Sequence, residues 1–262
     1  CQPGATNGMC RAALEEDGLV VGRDIFLAVS PERENPGGEI TGPRRVARLL
    51  GAPDAVSLAR ARAFWERIAE HVIPVATPEI AECAKLLENT YRLVNIALID
   101  ELHRGFTALG VPTRAVIEAA ATKPFGFAPF WPGAGAGGHC IPIDPEFLQM
   151  ELARAGGASP LLAAAAAANR ARPARIVDAV RAALGGSLAG RRVLVLGVTY
   201  KPGVPDLRGA APVALLQALA AEGAEALWHD PVLDASAPAL PGARRIHDPA
   251  GVAAEAVILG TP

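Results

Sequence analysis

The sequence predicts an α/β protein with two doubly wound, parallel-sheet domains joined by a long central helix, the N-terminal domain being incomplete. Three observations carry that reading. Short apolar, strand-like runs alternate with helix-like stretches near both ends of the chain. A helical pattern runs unbroken from about residue 78 to 109. The chain stops on the apolar run Val257-Ile258-Leu259, a buried strand without the crossover that a parallel sheet expects next. With its start in the turn-like Gln2-Pro3-Gly4, this gives the expectation of a fragment cut at both ends.

The elements follow in order. Residues 8–22 read as a helix that leads into a strand at Ile25–Val29, and Ser30–Gly42 is rich in turn formers. Residues 55–71 read as a helix and Val72–Ala76 as a short strand. Thr77-Pro78-Glu79 starts the long helix with a capping hydroxyl, a proline at the first helical position and an acid; Gly110 closes it. At 1.5 Å per residue such a helix is about 45 Å long, a length suited to bridging domains or building a dimer. From Lys123 to Pro145 the composition turns to Pro, Gly and aromatics, and 146–184 is helical again. A buried strand at Arg191–Gly197, a helix at about 211–222, a strand at Glu225–His229 and a last strand at 255–259 form the second doubly wound domain. The expected domains are thus 1–77, 78–185 and 186–262.

Composition excludes several classes. The 262 residues are 51% hydrophobic and 20% charged, enough for one large or two small domains. A net charge of -2 leaves no basic field for nucleic acid. The alanine run Ala163–Ala168 reflects helix propensity and is too short to span a bilayer. No leader is visible, so a cytoplasmic location is the expectation. Cys1, Cys10, Cys83 and Cys140 form no CxxC pair and no histidine cluster accompanies them, which argues against zinc or a disulfide framework. Cys10 and Cys83 read as small buried hydrophobes.

Four blocks carry chemistry. In Gly137-Gly138-His139-Cys140-Ile141-Pro142-Ile143-Asp144-Pro145 a thiol sits between a glycine turn and a proline-started helix. A helix N-terminus favours thiolate. If the helix starts at the thiol, Asp144 shares its face, and a nucleophile beside a carboxylate suits covalent catalysis. The plainer alternative is a buried cysteine near a first-turn acid. Lys85 and Asn89 stand at i and i+4 on the long helix, where they either stabilise an oxyanion or are an ordinary solvated lysine and asparagine. Glu32, in Ser30-Pro31-Glu32, follows an apolar strand, where α/β ligands gather; it is either a base or a lone acid. Lys201 and Arg208, just past the strand ending at Gly197, suit a phosphate. Gly133–Gly138 matches GxGxxG, but Phe130-Trp131-Pro132 before it is no strand, so it reads as a flexible loop whose bare backbone approaches a ligand.

These blocks, in this order, resemble the UDP-glucose/GDP-mannose dehydrogenase family over about residues 3 to 260. The glycine–cysteine–proline–aspartate block and Tyr200-Lys201-Pro202 with Asp206-Leu207-Arg208 are its most specific marks. Ser30-Pro31-Glu32-Arg33-Glu34-Asn35-Pro36-Gly37, Lys123-Pro124-Phe125-Gly126-Phe127 and Gly138-His139-Cys140-Ile141 look most like the members that oxidise UDP-N-acetylglucosamine. Members acting on UDP-glucose usually differ at His139 and carry Lys at Ile143.

The resemblance implies an N-terminal NAD-binding Rossmann domain, a central helical domain that forms a homodimer, and a C-terminal UDP-sugar-binding domain. It implies a four-electron oxidation of a sugar C6 alcohol to a uronate, with two NAD as acceptors and a thioester on Cys140. Lys85 and Asn89 would stabilise oxyanions, and Asp144 and Glu32 would position or deprotonate water. Gly137, His139 and Lys201 would hold the UDP-sugar, and Arg208 the cofactor. No metal and no nucleic-acid or membrane partner is implied. Two departures stand out: the family's catalytic Thr would fall just before Cys1, and Arg208-Gly209-Ala210 replaces the usual Arg-Glu-Ser. With the NAD glycine turn missing, UDP-sugar binding is expected and NAD binding is not. The rivals are oxidation of UDP-glucose or UDP-N-acetylmannosamine, and a non-catalytic fragment that dimerises and binds UDP-sugar.

Overall fold

A computed structural model describes residues 2–35, 37 and 45–261. They divide into two compact units, Cys1–Tyr91 with Asp144–Ser159, and Arg92–Ile143 with Pro160–Pro262. The long helix crosses the boundary between Tyr91 and Arg92.

The first unit opens with a π-helical turn, Thr6–Cys10, continuing into α1, Arg11–Glu16. The helix expected over 8–22 is shorter because Asp17-Gly18 closes it, with Gly18 at a φ of 78°. No strand forms at Ile25–Val29. Val29 instead exchanges two backbone hydrogen bonds with Gly51, and Val21 bridges Ile25. The strand that does form is β1, Arg48–Leu50, whose leading arginine masks a short apolar run. It pairs in parallel with β2, Val72–Pro74, across the crossover helix α2, Ala55–Trp65. Asp54 caps α2 by accepting from the Ser57 amide at 2.8 Å and its hydroxyl at 2.6 Å. Of the expected turn-rich stretch, residues 36 and 38–42 lie outside the described residues.

The long helix is α3, Pro78–Ala108, as the pattern predicts. Leu86, Leu93 and Ala97 recur at helical spacing and are buried, as is Ala81. Ile80, Leu87, Tyr91, Leu98 and Leu102 are exposed. Their spacing of seven, four, seven and four residues keeps them on one stripe of the helix. Ile99 is buried as well. α5, Asp144–Arg154, completes this unit.

The second unit holds α4, Thr113–Ala121, which the sequence reading missed, then α6, Pro160–Arg170, and α7, Arg172–Ala183. The single helical region expected over 146–184 is therefore three helices, interrupted at Gly156-Gly157 and at Ala171. Strands β3, Arg192–Leu196, β4, Glu225–His229, β5, Ala243–Arg245, and β6, Ala256–Leu259, form one parallel sheet in the order β5-β4-β3-β6, with α8, Ala211–Ala221, as the first crossover. The chain runs outward from β3 through β4 to β5 and then returns to β6 on the other side of β3. That reversal makes a switch point at the C-terminal ends of β3 and β6, where ligands of open α/β sheets bind. Val193, Val195, Leu215, Leu216, Leu219 and Trp228 pack on one face of the sheet; Leu194, Leu227 and Ile246 pack on the other. The middle residues of β3 and β4 are apolar because both faces are covered there. Among the described residues no helix is long and apolar enough to cross a membrane.

Leu216 is fully buried in this core. Leu216→Ala is expected to cost about 2–5 kcal/mol in denaturant unfolding, against at most about 0.5 kcal/mol for Leu161→Ala, whose side chain is exposed.

Candidate functional site

In the second unit the glycine run Gly133–Gly138 is held along its whole length. Gly133 donates to Asp100 at 3.3 Å and its carbonyl accepts from Arg172 Nε at 2.8 Å. Arg172 and Asp100, both buried, stand 3.5 Å apart. Burial pushes the Asp100 carboxyl up, and the Arg172 charge and the Gly133 amide pull it back only in part. The Asn169 side chain grips both backbone groups of Ala136, at 2.7 and 3.0 Å. Gly138 donates to the Gly209 carbonyl at 3.2 Å. A Cβ on Gly137 would lie 2.8 Å from that same oxygen. A Cβ on Gly138, whose φ is 84°, would lie 2.8 Å from the Tyr200 ring. The bare backbone thus packs on protein, which corrects the expectation of a flexible loop reserved for a ligand. The reading that it is no dinucleotide turn agrees with the local structure: no strand precedes it, and the next helix starts only at Asp144.

His139 and Cys140 emerge exposed from the end of this run. The Cys140 carbonyl accepts from the Ile143 amide at 3.2 Å, closing a turn just ahead of α5. Because α5 begins at Asp144, Cys140 precedes the helix rather than opening it. The shared helical face expected of Cys140 and Asp144 is therefore not formed. Cys10 and Cys83 are also exposed, which corrects their assignment as buried. Partial desolvation and the nearby Glu82 and Glu79 carboxylates push the Cys83 thiol up.

At the end of β3, Gly197 has a φ of 78° and leads into Val198-Thr199-Tyr200-Lys201. The buried Asp230, directly after β4, accepts from the Val198 and Thr199 amides at 2.7 and 3.1 Å and so shapes this turn. Sequence reasoning missed Asp230; an acid directly after an apolar strand was the available signal. Half-buried Lys201 has its ammonium pKa lowered by burial and by the charge of Arg92. Arg208 grips Asp206 through Nη2 at 2.6 Å and Nε at 3.0 Å. That pair, with the Arg208 amide and His139 contributing, holds the Asp206 carboxyl below the usual range. A cleft of about 970 Å³ between the α3 C-terminus, α7 and β6 is lined by Gly133 and Arg172 but by none of His139, Cys140, Lys201 and Arg208.

In the first unit Asn89, nearly buried, donates to Asp144 at 2.5 Å. Lys85 is half-buried one turn earlier. Arg33 binds Glu88 through Nε at 2.9 Å and Nη2 at 2.7 Å, and the Ala47 carbonyl at 2.8 Å. This straps the Ser30–Glu34 loop to α3 beside Asn89. Buried Arg48 lies over the Trp65 ring and pairs with Glu32 at 3.2 Å and Glu34 at 2.7 Å. Burial pushes the Glu32 carboxyl up, but the Glu34 amide and the Arg48 guanidinium outweigh it and hold the pKa low. Glu32, Lys85, Asn89 and Asp144 thus belong to one unit, and Gly137, His139, Cys140, Lys201 and Arg208 to the other.

Among the described residues no cluster could hold a metal ion. The residues present do not fit a dinucleotide pyrophosphate by the usual device. The strand-to-helix turns after β1, β2 and β3 carry no GxGxxG, and a Cβ on Gly51, after β1, would already meet Thr77 and Pro78 backbone at 2.7 Å. Arg208 is engaged by Asp206.

The comparisons with known proteins agree with one another. The model of the UDP-glucose/GDP-mannose dehydrogenase family, central domain, matches residues 79–171, and that of the family's UDP binding domain matches 194–262. The UDP-N-acetyl-D-glucosamine 6-dehydrogenase of Pseudomonas aeruginosa is 35% identical over 89% of this chain and 56% of its own length. A UDP-glucose dehydrogenase from Pyrobaculum islandicum superposes with a TM-score of 0.88 at 27% identity, over 99% of this chain and 61% of that one. A UDP-D-ManNAc dehydrogenase from Pyrococcus horikoshii gives a TM-score of 0.83 at 26% identity, over 99% and 60%. The chain spans about half the length of the curated relatives it matches.

Gly138→Ala should destabilise the protein by about 1–3 kcal/mol, from positive-φ strain and from the Tyr200 ring. Adding Tyr200→Ala should recover only the steric part. A double-mutant cycle in denaturant showing no coupling would mean that the ring does not confine the glycine.

Proposed function

We propose, since the chain belongs to the UDP-glucose/GDP-mannose dehydrogenase family, that the full-length protein oxidises the C6 alcohol of a UDP-hexose to a carboxylate, with UDP-N-acetylglucosamine as substrate. The observation that carries the proposal is Cys140. It is an exposed thiol at the end of a glycine run that is itself immobilised, one turn ahead of an aspartate bonded to Asn89. A nucleophile must be reachable and yet fixed, and here the fixing comes from the backbone before it.

NAD is the hydride acceptor that this reading implies, one molecule for each two-electron step. The chain's own part is covalent. Cys140 Sγ adds to the C6 aldehyde carbon and holds it through oxidation to the acyl level. Water then attacks the thioester carbonyl, and the thiolate leaves as the carboxylate forms. Lys85 and Asn89 carry the role of stabilising the oxygen that gains charge at each addition. Asp144, already an acceptor from Asn89, orients the water. Glu32 belongs to the same role as an ionised group; its pairing with Arg48 makes it a weak base. Lys201 stands where the UDP phosphates are proposed to bind, at the switch point of the second sheet, with Gly137 and His139 toward the sugar. Arg208 is the one residue proposed to face the cofactor. UDP-N-acetylglucosamine is favoured by the Pseudomonas relative; the two solved structures keep UDP-glucose and UDP-N-acetylmannosamine as rivals.

The exposed stripe Ile80, Leu87, Tyr91, Leu98 and Leu102 supports a homodimer through α3. Sedimentation at micromolar concentration should show a dimer, and Leu87→Glu with Leu98→Glu should yield monomer. A wild-type monomer rules the interface out.

Cys140→Ser in the full-length protein should abolish uronate production while leaving a weak oxidation of alcohol to aldehyde. Product analysis over a panel of the three UDP-sugars checks both the mechanism and the substrate. Sustained uronate from the serine variant would sink the covalent route, and turnover with none of the three sugars would favour the binding-only rival.

A further inference from the structure

Glu82 is a fully buried carboxylate in the second turn of α3, and no step above uses it. Taking such a group out of water is costly unless it is hydrogen-bonded, and here every donor comes from one short segment. The Gly4 amide donates at 2.6 Å, the Thr6 amide at 3.0 Å and the Thr6 hydroxyl at 2.6 Å. Thr6 is itself buried. The segment is held on either side of these bonds as well. Asn7 donates to Glu79 at 2.6 Å, one turn back on α3. Gln2 donates to Glu151 of α5 at 2.5 Å. α5 is the helix that Asp144 opens, and Asp144 is bound to Asn89. α3 and α5 are therefore joined twice, directly at Asn89–Asp144, and through Gln2–Asn7 at Glu82, seven residues earlier on α3, and Glu151, seven residues later on α5.

Glu82, Lys85 and Asn89 stand at i, i+3 and i+7, so they lie on one face of α3. Whatever Glu82 holds lies on the same face as Lys85, about 5 Å along the axis, and Asn89, about 10 Å along it.

We infer that Glu82 is a positioning residue that clamps the Gln2–Asn7 segment as a wall over the Lys85–Asn89 face, fixing the angle between α3 and α5. The inference rests on the proposed role of that face in sugar oxidation. Glu82 touches no reacting atom; it acts through the segment. A misplacement on the order of 1 Å at a reacting centre lowers turnover by roughly 100-fold, without equal loss of binding.

The test uses full-length wild type and Glu82→Gln. The amide keeps the shape but turns an NH2 group toward donors. Hydrogen exchange should quicken at Gly4 and Thr6 and stay slow in β3 and β4. With UDP-N-acetylglucosamine and NAD, kcat should fall by roughly 10- to 100-fold while KM for the sugar stays within about twofold. If Glu82→Gln does not fold, Thr6→Val, which removes only the hydroxyl, should lower kcat in the same way, and Thr6→Ser, which restores it, should recover most of the loss. Unchanged exchange at Gly4 and Thr6 overturns the clamp. Quickened exchange with unchanged kcat overturns its bearing on the reaction, as does a KM rise that accounts for the whole loss. A wild type that oxidises no UDP-sugar is a different failure, that of the functional reading, and leaves the exchange result to stand by itself.

Discussion

A helix that buries polar side chains must supply each of them with partners, and α3 meets that demand by binding segments from elsewhere in the chain. Glu82 takes the Gly4–Thr6 backbone, Asn89 takes Asp144, and Asp100 takes Gly133. Partly exposed Glu88 takes Arg33. None of these segments is a regular strand, so none has a sheet ladder to hold it. An unsatisfied buried carboxylate costs more than a hydrogen bond returns, which makes these attachments hard to release. The residues proposed for catalysis lie on or beside the attached segments. Their placement is thus a consequence of how one helix satisfies its interior.

The acids divide by what surrounds them. Asp100 has a raised carboxyl pKa because burial outweighs Arg172. Its native state binds the proton more tightly than the unfolded chain does, so its ionisation opposes folding at neutral pH, and that cost fades as pH falls through the raised value. A buried pair of this kind is poor evidence of stability; its effect here is to pin Gly133. Glu32 and Asp206 have lowered values. Their contribution is present above the unfolded pKa and is lost as pH falls through the folded one. Glu32 is well exposed on its free side, so solvent screening keeps that contribution small. Its pairing serves to keep a charge in place.

How much was legible follows the same division. α3, α8, β3, β4 and β6 were readable because their apolar periods run unbroken; β3 and β4 are covered on both faces, whereas β6, read as a buried strand, is an edge strand that leaves Val257 and Leu259 exposed. β1 and β5 were not: each has three residues and carries arginine. Ile25–Val29 has the composition of a strand, but its residues make only isolated bridges, Ile25 to Val21 and Val29 to Gly51, among the described residues. Cys140, Asp144, Lys85 and Asn89 were visible as residue patterns. The start of α5 was not, since Pro142 and Pro145 are each suited to the first turn of a helix. Glu82 and Asp100 were invisible, because a lone acid in a sequence does not announce its burial; that depends on donors up to 78 positions away. The glycine run was rightly set apart from dinucleotide turns, but its partners Tyr200 and Gly209 lie too far along the chain to be read locally.

The two sets of proposed residues are held by opposite means. Lys85 and Asn89 stand on a regular helix, where backbone hydrogen bonds fix the side-chain origins before any tertiary contact is made. Cys140 stands on irregular backbone, where nothing local fixes it. The second unit compensates by burying glycine rather than side chain. Gly137 and Gly138 have no Cβ, so backbone packs on backbone at Gly209 and on the Tyr200 ring, and positive φ at Gly138 turns the chain outward. A larger residue at either position would have to move Tyr200 or the Gly209–Ala211 backbone. The run that resembles a phosphate loop in its spelling is therefore constrained for a different reason. Its glycines are needed where protein meets protein, so that the exposed thiol just after them keeps a fixed place.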